Sequence, residues 1–174
     1  MPEELEIRRC RPADADRIRE LHEVALRDAG GYVEDGPDAD LTAPHATYIE
    51  QGGDFLVGEL AGQIVAMGGF RPASEWIADA VSDLATPAAE LKRMRVDPAY
   101  QRRGFGTVIL RRLEERARDA GFREVVLDTG ADFDAPRSFY EATGFEHERN
   151  LTVDVGDSSF EMALYRKRLD ARQH

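Results

Sequence analysis

The run Gln101-Arg102-Arg103-Gly104-Phe105-Gly106-Thr107 brings together the residue types that grip a phosphate. Glycine at 104 and 106 removes two side chains, so an anion can approach the main chain closely. Arg102 and Arg103 add positive charge at the same place. The run lies between a strand pattern and the start of the clearest amphipathic helix in the chain. Unpaired backbone N–H groups and the helix dipole favour an anion there. By residue type and spacing this is a pyrophosphate cradle. Two nucleotide motifs do not fit. A P-loop ends Gly-Lys-Ser/Thr, whereas Thr107 follows Gly106 with no lysine before it. A dinucleotide fingerprint needs a third glycine where Ile109 stands. The bland alternative is a plain Gly-rich turn ahead of a helix.

The elements around this loop read as alternating strands and helices. Leu5 to Cys10 alternates as a first strand. Pro12 and Asp14 open a helix with Ile18, Leu21 and Ala25 on one face, ended by Gly30-Gly31. Residues 32–44 form a surface loop, and a short helix runs from Pro44 to Gln51. Phe55-Leu56-Val57 and Ile64-Val65-Ala66-Met67 make a hairpin around Ala61-Gly62. Residues 72–88 read as a loop with a helical turn near Trp76 to Val81. A fourth strand spans Glu90 to Val96 and stops at Asp97-Pro98. The long helix from Gly104 buries Ile109, Leu110, Leu113, Ala117 and Ala120. Its polar face carries Arg111, Arg112, Glu114, Glu115, Arg118 and Asp119, and Gly121 stops it. Val125-Val126-Leu127 is a fifth strand, apolar throughout as in a parallel sheet buried on both sides. A short helix from Asp134 or Pro136 to Gly144 precedes two strands, 147–155 and 160–168, joined at Gly156-Asp157-Ser158.

At 174 residues the chain suits a single domain, 1–174, and 42% hydrophobic with 33% charged residues is globular. The net charge of −11 repels nucleic acid and anionic membrane surfaces. Lys92 and Lys167 are the only lysines. So arginine-heavy and acidic a chain fits either high intracellular salt or a GC-rich genome. The single cysteine, Cys10, excludes an intramolecular disulfide and a thiolate zinc cluster. His22, His45, His147 and His174 lack metal-ligand spacing and read as solvated or locally hydrogen-bonded, so no metal is expected. The N-terminus shows no secretory signal and no stretch reaches ~18 uninterrupted apolar residues, so a cytoplasmic location is expected.

The run Val96-Asp97-Pro98-Ala99-Tyr100-Gln101-Arg102-Arg103-Gly104-Phe105-Gly106 strongly resembles the acyl-CoA signature of the GNAT N-acetyltransferases, in which Gln/Arg-x-x-Gly-x-Gly/Ala follows the fourth strand. The likeness continues through Glu115 and Ala117, Leu127-Asp128-Thr129, and Phe139-Tyr140-Glu141-Ala142-Thr143-Gly144-Phe145. It implies an α/β fold (α+β in arrangement) with a mixed, twisted sheet of about seven strands, helices on both faces, and fourth and fifth strands that splay to admit acyl-CoA. It also implies that backbone groups of Met94, Arg95 and Val96 pair with the pantetheine arm. Gln101, Arg102, Arg103, Gly104, Phe105, Gly106 and Thr107 would hold the pyrophosphate, with Phe139 packed beside the cofactor. Tyr140 falls where the family protonates the departing thiolate, and Glu90 where many relatives place a general base. Phe133 and Pro136 depart from the family's usual asparagine and alanine. Homodimers are common in the family.

The residue types suit the reaction so implied: acetyl transfer from acetyl-CoA to a small-molecule or peptide amine. An amine of pKa ~10.4 must lose a proton before it attacks a thioester, which a carboxylate can accept. The leaving thiolate, pKa ~8.5, can take a proton from a phenol of pKa about 10. A backbone N–H of the splayed strand can hold the oxyanion. Each residue also has a plainer role: Tyr140 as a packing tyrosine, Glu90 as a surface ion-pair partner sharing a strand face with Lys92 and Met94. Glu59 and Glu75 are substitute bases. Trp76 and Arg71 could line the acceptor site. Two other functions share the loop: an acyl-CoA sensor that transfers nothing, and a transferase using another acyl donor.

Overall fold

The structure, a computed structural model, describes residues 4–29 and 39–169. The helix stop at Gly30-Gly31 and the loop up to residue 38 lie outside the described residues. Seven strands hydrogen-bond in the order β1-β2-β3-β4-β5-β7-β6. They are β1 (Glu6–Arg9), β2 (Asp54–Leu60), β3 (Gln63–Pro72), β4 (Ala88–Val96), β5 (Glu124–Gly130), β6 (Glu146–Val155) and β7 (Ser158–Arg168). Among the described residues four α-helices accompany them: α1 (Ala15–Ala29), α2 (Glu75–Asp79), α3 (Phe105–Asp119) and α4 (Asp134–Ala142). The sheet is mixed, as expected. β4 and β5 are parallel, whereas β1–β2, β2–β3, β5–β7 and β6–β7 are antiparallel.

The chain divides into two compact units, Met1–Arg71 with Leu91–Ala117, and Pro72–Glu90 with Arg118–His174. In the first, β2 and β3 form the expected hairpin, and Ala61 and Gly62 take positive φ in its turn (51° and 81°). The periodicity of α1 is realised: Ile18, Leu21 and Ala25 are buried. With Cys10, Leu41, Tyr48, Phe55, Val57, Ile64 and Met67, the first two of these make a core in which each large apolar side chain contributes roughly 1.5–3 kcal/mol of burial. The Tyr48 and Phe55 rings meet at 5.1 Å. The expected helix at 44–51 is a single π-helical turn, His45–Ile49, and Ala39–Leu41 forms a 3-10 turn. Gly68 lets the sheet and α3 approach closely, since a Cβ there would strike the Met94 sulfur and the Leu113 and Ile109 side chains.

In the second unit the helical turn expected near Trp76 to Val81 is α2, which begins one residue earlier and ends at Asp79. Its Ile77 packs with Val81, Val126 and Leu164. β4 pairs with β5 only through Ala88, Ala89 and Glu90, opposite Glu124, Val125 and Val126. β4 itself continues to Val96 and β5 to Gly130.

Two assignments on α3 are corrected. Ala120, expected on the apolar face, is exposed and follows the helix end at Asp119. Glu114 does not lie on the solvated face: it is buried beside Leu110, Leu113 and Ala117, with Arg111 donating to it at 3.1 Å. The apolar stripe is wider than a two-column pattern suggests, and the arginine one turn back supplies the buried carboxylate with a charged donor.

Candidate active site

The loop after β4 is built by local hydrogen bonds. Asp97 Oδ1 accepts the Ala99 N–H at 3.0 Å, and its carbonyl accepts from Tyr100 at 2.8 Å, closing a 3-10 turn over Pro98–Tyr100. Arg17 reaches Asp97 Oδ2 at 3.2 Å and so ties α1 to the loop. Gln101 donates from Nε2 to the Val96 carbonyl at 3.3 Å. Arg102 and Gly104 occupy the left-handed region, at φ 65° and 81°. A Cβ on Gly104 would meet nothing within 4 Å, so the space over this turn is open. The first helical bond here joins the Val108 N–H to the Gly104 carbonyl at 3.1 Å. The amides of Phe105, Gly106 and Thr107 therefore precede the ladder, at the positive end of the α3 dipole. Residues 101–104 are exposed, and the Arg103 guanidinium lies 5.2 Å from the Tyr100 ring centroid. The residues fit a pyrophosphate: open backbone, two arginines and a helix N-terminus converge on one turn.

Strict alternation along β4 does not hold. Arg93 has φ 60°, a left-handed value that costs a non-glycine residue about 1–2 kcal/mol. Its guanidinium grips Asp40 through Nε at 2.9 Å and Nη2 at 2.7 Å, and the Tyr48 hydroxyl donates to the same carboxylate at 2.5 Å. Burial opposes ionisation of Asp40, but the Arg93 fork wins and holds its carboxyl below the usual carboxylate range. The break in alternation re-aims Met94, Arg95 and Val96, the residues expected to face the pantetheine arm. The Arg95 side chain turns back, donating to the Met94 carbonyl at 2.8 Å and to His22 Nδ1 at 3.3 Å. His22 is thereby corrected. It is neither solvated nor locally bonded, but 3% exposed on α1 and bonded to a residue 73 positions away. His45 and His147 have local partners, Glu50 and Asn150, and His174 lies outside the described residues.

Glu90 is fully buried, at 0% exposure, so it is not the surface ion-pair partner that alternation allowed. Its Oε1 accepts two bonds from one residue, the Ser74 amide at 3.0 Å and the Ser74 hydroxyl at 2.6 Å. Ser74 is the N-cap residue of α2, yet its hydroxyl serves the glutamate rather than the helix. The substitute bases are placed differently: Glu59 is held by Arg8 at 2.6 Å, and Glu75 is an exposed first residue of α2. Trp76 projects from α2, 42% exposed.

Tyr140, on α4, sits in an aromatic group. Its ring centroid is 5.2 Å from Phe139, 5.6 Å from Phe145 and 6.4 Å from Tyr165. Tyr165 is a second phenol that sequence reasoning passed over. It donates to Glu141 at 2.5 Å and accepts from Arg137 Nε at 2.9 Å. Burial, then the bond to Glu141, raises its pKa above the ordinary phenol value, which makes it a poorer acid than a free phenol. Phe133, at the family's asparagine position, is the N-cap of α4, and its ring lies where a Cβ on Gly130 would fall. Nothing in the composition of the 39–41 region marked Asp40. Ser74 fell in the stretch read as a loop, and nothing in the sequence marked its bond to Glu90. Among the described residues no cluster of metal-ligating side chains occurs, and no helix is long and apolar enough to cross a membrane.

The mixed seven-stranded sheet, with β4 and β5 parallel and the fourth strand leading through an arginine–glycine turn into a helix N-terminus, is of the α/β class. The acetyltransferase (GNAT) family matches residues 16–145, and the chain belongs to it. It is 31% identical over 137 residues to an uncharacterised N-acetyltransferase of Escherichia coli K12, YjgM, covering 78% of this chain and 76% of that one. It is 33% identical over 141 residues to the N-alpha-acetyltransferase RimI of Mycobacterium tuberculosis, covering 77% and 73%. It spans only about half the length of mammalian relatives such as human N-acetyltransferase 8, 48% of which is matched. Among solved structures, yncA of Salmonella typhimurium, a putative acetyltransferase crystallised with acetyl-CoA, superposes with a TM-score of 0.73 at 21% identity, covering 98% of this chain and 96% of that one.

Proposed function

We propose that the chain transfers the acetyl group of acetyl-CoA directly to a primary amine within a ternary complex. The observation that supports this reading is the open turn at Arg102–Gly104 at the N-terminus of α3, whose backbone and charge suit a pyrophosphate. Family membership and the acetyl-CoA held by the yncA relative support the donor; the likeness to an N-alpha-acetyltransferase supports an amine acceptor. Met94, Arg95 and Val96 would meet the pantetheine arm through their backbone, Arg102 to Thr107 the phosphates, and Phe139 the cofactor's flank.

Glu90 takes one proton from the acceptor ammonium and later releases it to water. The free amine attacks the thioester carbonyl, and the carbon–nitrogen bond forms as the oxyanion is held by backbone donors. As the carbon–sulfur bond breaks, Tyr140 protonates the thiolate and is itself reprotonated by the second proton leaving nitrogen. The sum is one amide, one thiol and one proton. No enzyme nucleophile is required.

An amine panel of polyamines, aminoglycosides and N-terminal peptides, scored by thiol release from acetyl-CoA, tests the reading. Turnover of at least one amine is expected; tight acetyl-CoA binding with no turnover of any would identify a sensor. The loop is tested with Gly104→Asp against Gly104→Asn. Both residues tolerate the left-handed conformation better than most, so only charge separates them. CoA affinity by calorimetry is expected to fall about tenfold or more further in the aspartate variant. Equal affinities would remove the phosphate from this turn.

A further inference from the structure

A general base with 0% exposure cannot itself meet an incoming ammonium, and Glu90 is such a carboxylate. What stands against it is the Ser74 hydroxyl, 2.6 Å from Oε1, on a residue that is only partly buried and that begins α2. The Ser74 amide bonds the same oxygen at 3.0 Å, so the pair keeps its geometry even while the hydroxyl rotates. We infer that Ser74 is a further catalytic residue, a proton relay between the acceptor amine and Glu90. The step balances. An ammonium proton passes to Ser74 Oγ as the hydroxyl proton passes to Glu90 Oε1, leaving a neutral amine, an intact serine and a carboxylic acid. A hydroxyl can do this because it donates and accepts through one atom.

The relay explains why an α2 N-cap serine turns away from its own helix. The stabilisation that a side-chain cap gives a helix is forgone here in favour of the bond to Glu90. It also places the acceptor amine at the N-terminal end of α2, beside the exposed Trp76.

The inference rests on Glu90 as the base, and the two can fail separately. The measurement is kcat/KM for the best alkylamine of the panel, from pH 7 to 10, in Glu90→Gln, Ser74→Ala and Ser74→Thr. A proton-accepting role matters only while the amine is protonated, so the deficit should close as pH approaches the amine's own pKa of ~10.4. Ser74→Ala is expected to lose about tenfold or more at pH 7, to recover toward pH 10, and to be rescued at pH 7 by the hydroxyl of Ser74→Thr. Should Glu90→Gln show no deficit, the base assignment falls and the relay with it. Should Glu90→Gln be slow and Ser74→Ala match the parent, Glu90 stands and the relay is overturned. A Ser74→Ala deficit that persists unchanged at pH 10, or that threonine does not relieve, marks a structural role and overturns it too. If Ser74→Ala does not fold, Ser74→Val against Ser74→Thr makes the same comparison at equal volume. Absence of any turned-over amine would end both.

Discussion

At the scale of single residues, two phenols and one thiol show how surroundings assign roles. Tyr165 has its proton committed to Glu141, while Tyr140 lies among aromatic rings, its centroid 6.4 Å from that of Tyr165. Removing the Tyr140 hydroxyl keeps the ring and its packing, and so nearly all contact with CoA before reaction. Tyr140→Phe should therefore lose about 10²-fold in turnover while CoA affinity changes less than about threefold. The check is single-turnover kinetics beside calorimetry, and near-normal turnover would hand the proton to water. Cys10 is the opposite case. Burial, followed by the nearby Asp14 and Asp54 charges, pushes its thiol up to about 12. The folded protein should show no reaction with a chromogenic thiol reagent at pH 8 and one thiol in denaturant. That silence keeps the thiol-release assay clean.

At the scale of elements, β4 depends on a residue far from it in sequence. The left-handed Arg93 is held by Asp40 through two hydrogen bonds, with both side chains mostly buried (13% and 11% exposed). Asp40→Asn would leave the guanidinium facing a neutral amide, and we expect a loss of about 2 kcal/mol in urea unfolding at pH 7. The folded carboxyl titrates below its ordinary 3.8, so its contribution is complete above that value and vanishes as pH falls through the lower folded one. The difference between parent and variant should accordingly shrink below about pH 4. A difference that stays constant down to pH 2 would mean the ion pair is not its source. The same variant should weaken acetyl-CoA binding, since Arg93 sets the aim of Met94, Arg95 and Val96.

At the scale of the whole molecule, charge is unevenly spread along the chain. Residues 91–117, running from β4 through the Arg102–Gly104 turn and most of α3, hold eight Lys or Arg side chains and three carboxylates, against a total of −11. The basic segment is the one proposed to bind CoA, so affinity for CoA should fall as salt rises. The acidic remainder repels itself, and stability should move the other way. The melting temperature is expected to rise as salt goes from ~0.01 M to ~0.15 M, where the screening length shortens from ~30 to ~8 Å. A rise that ends there is plain screening; one that continues into molar KCl marks adaptation to brine. A fall from the start would show that ion pairs such as Arg8–Asp14 and Arg166–Glu124 outweigh the net repulsion.

By itself the sequence determined what local rules control. Hydrophobic period placed α1, α3, β5 and the β2–β3 hairpin within a few residues, because burial on one face imposes the spacing. The Gly-x-Gly turn after β4 was legible because left-handed backbone and open space select glycine at 104, whatever surrounds it. Only the tertiary structure decided which distant groups meet. Asp40 with Arg93, His22 with Arg95 and Ser74 with Glu90 join positions 53, 73 and 16 residues apart. A polar residue carries no mark of its partner; its spacing looks the same whether it faces water or a buried charge. The burial of Glu90 and Glu114 followed from such pairings, since a carboxylate leaves water only where donors are waiting for it.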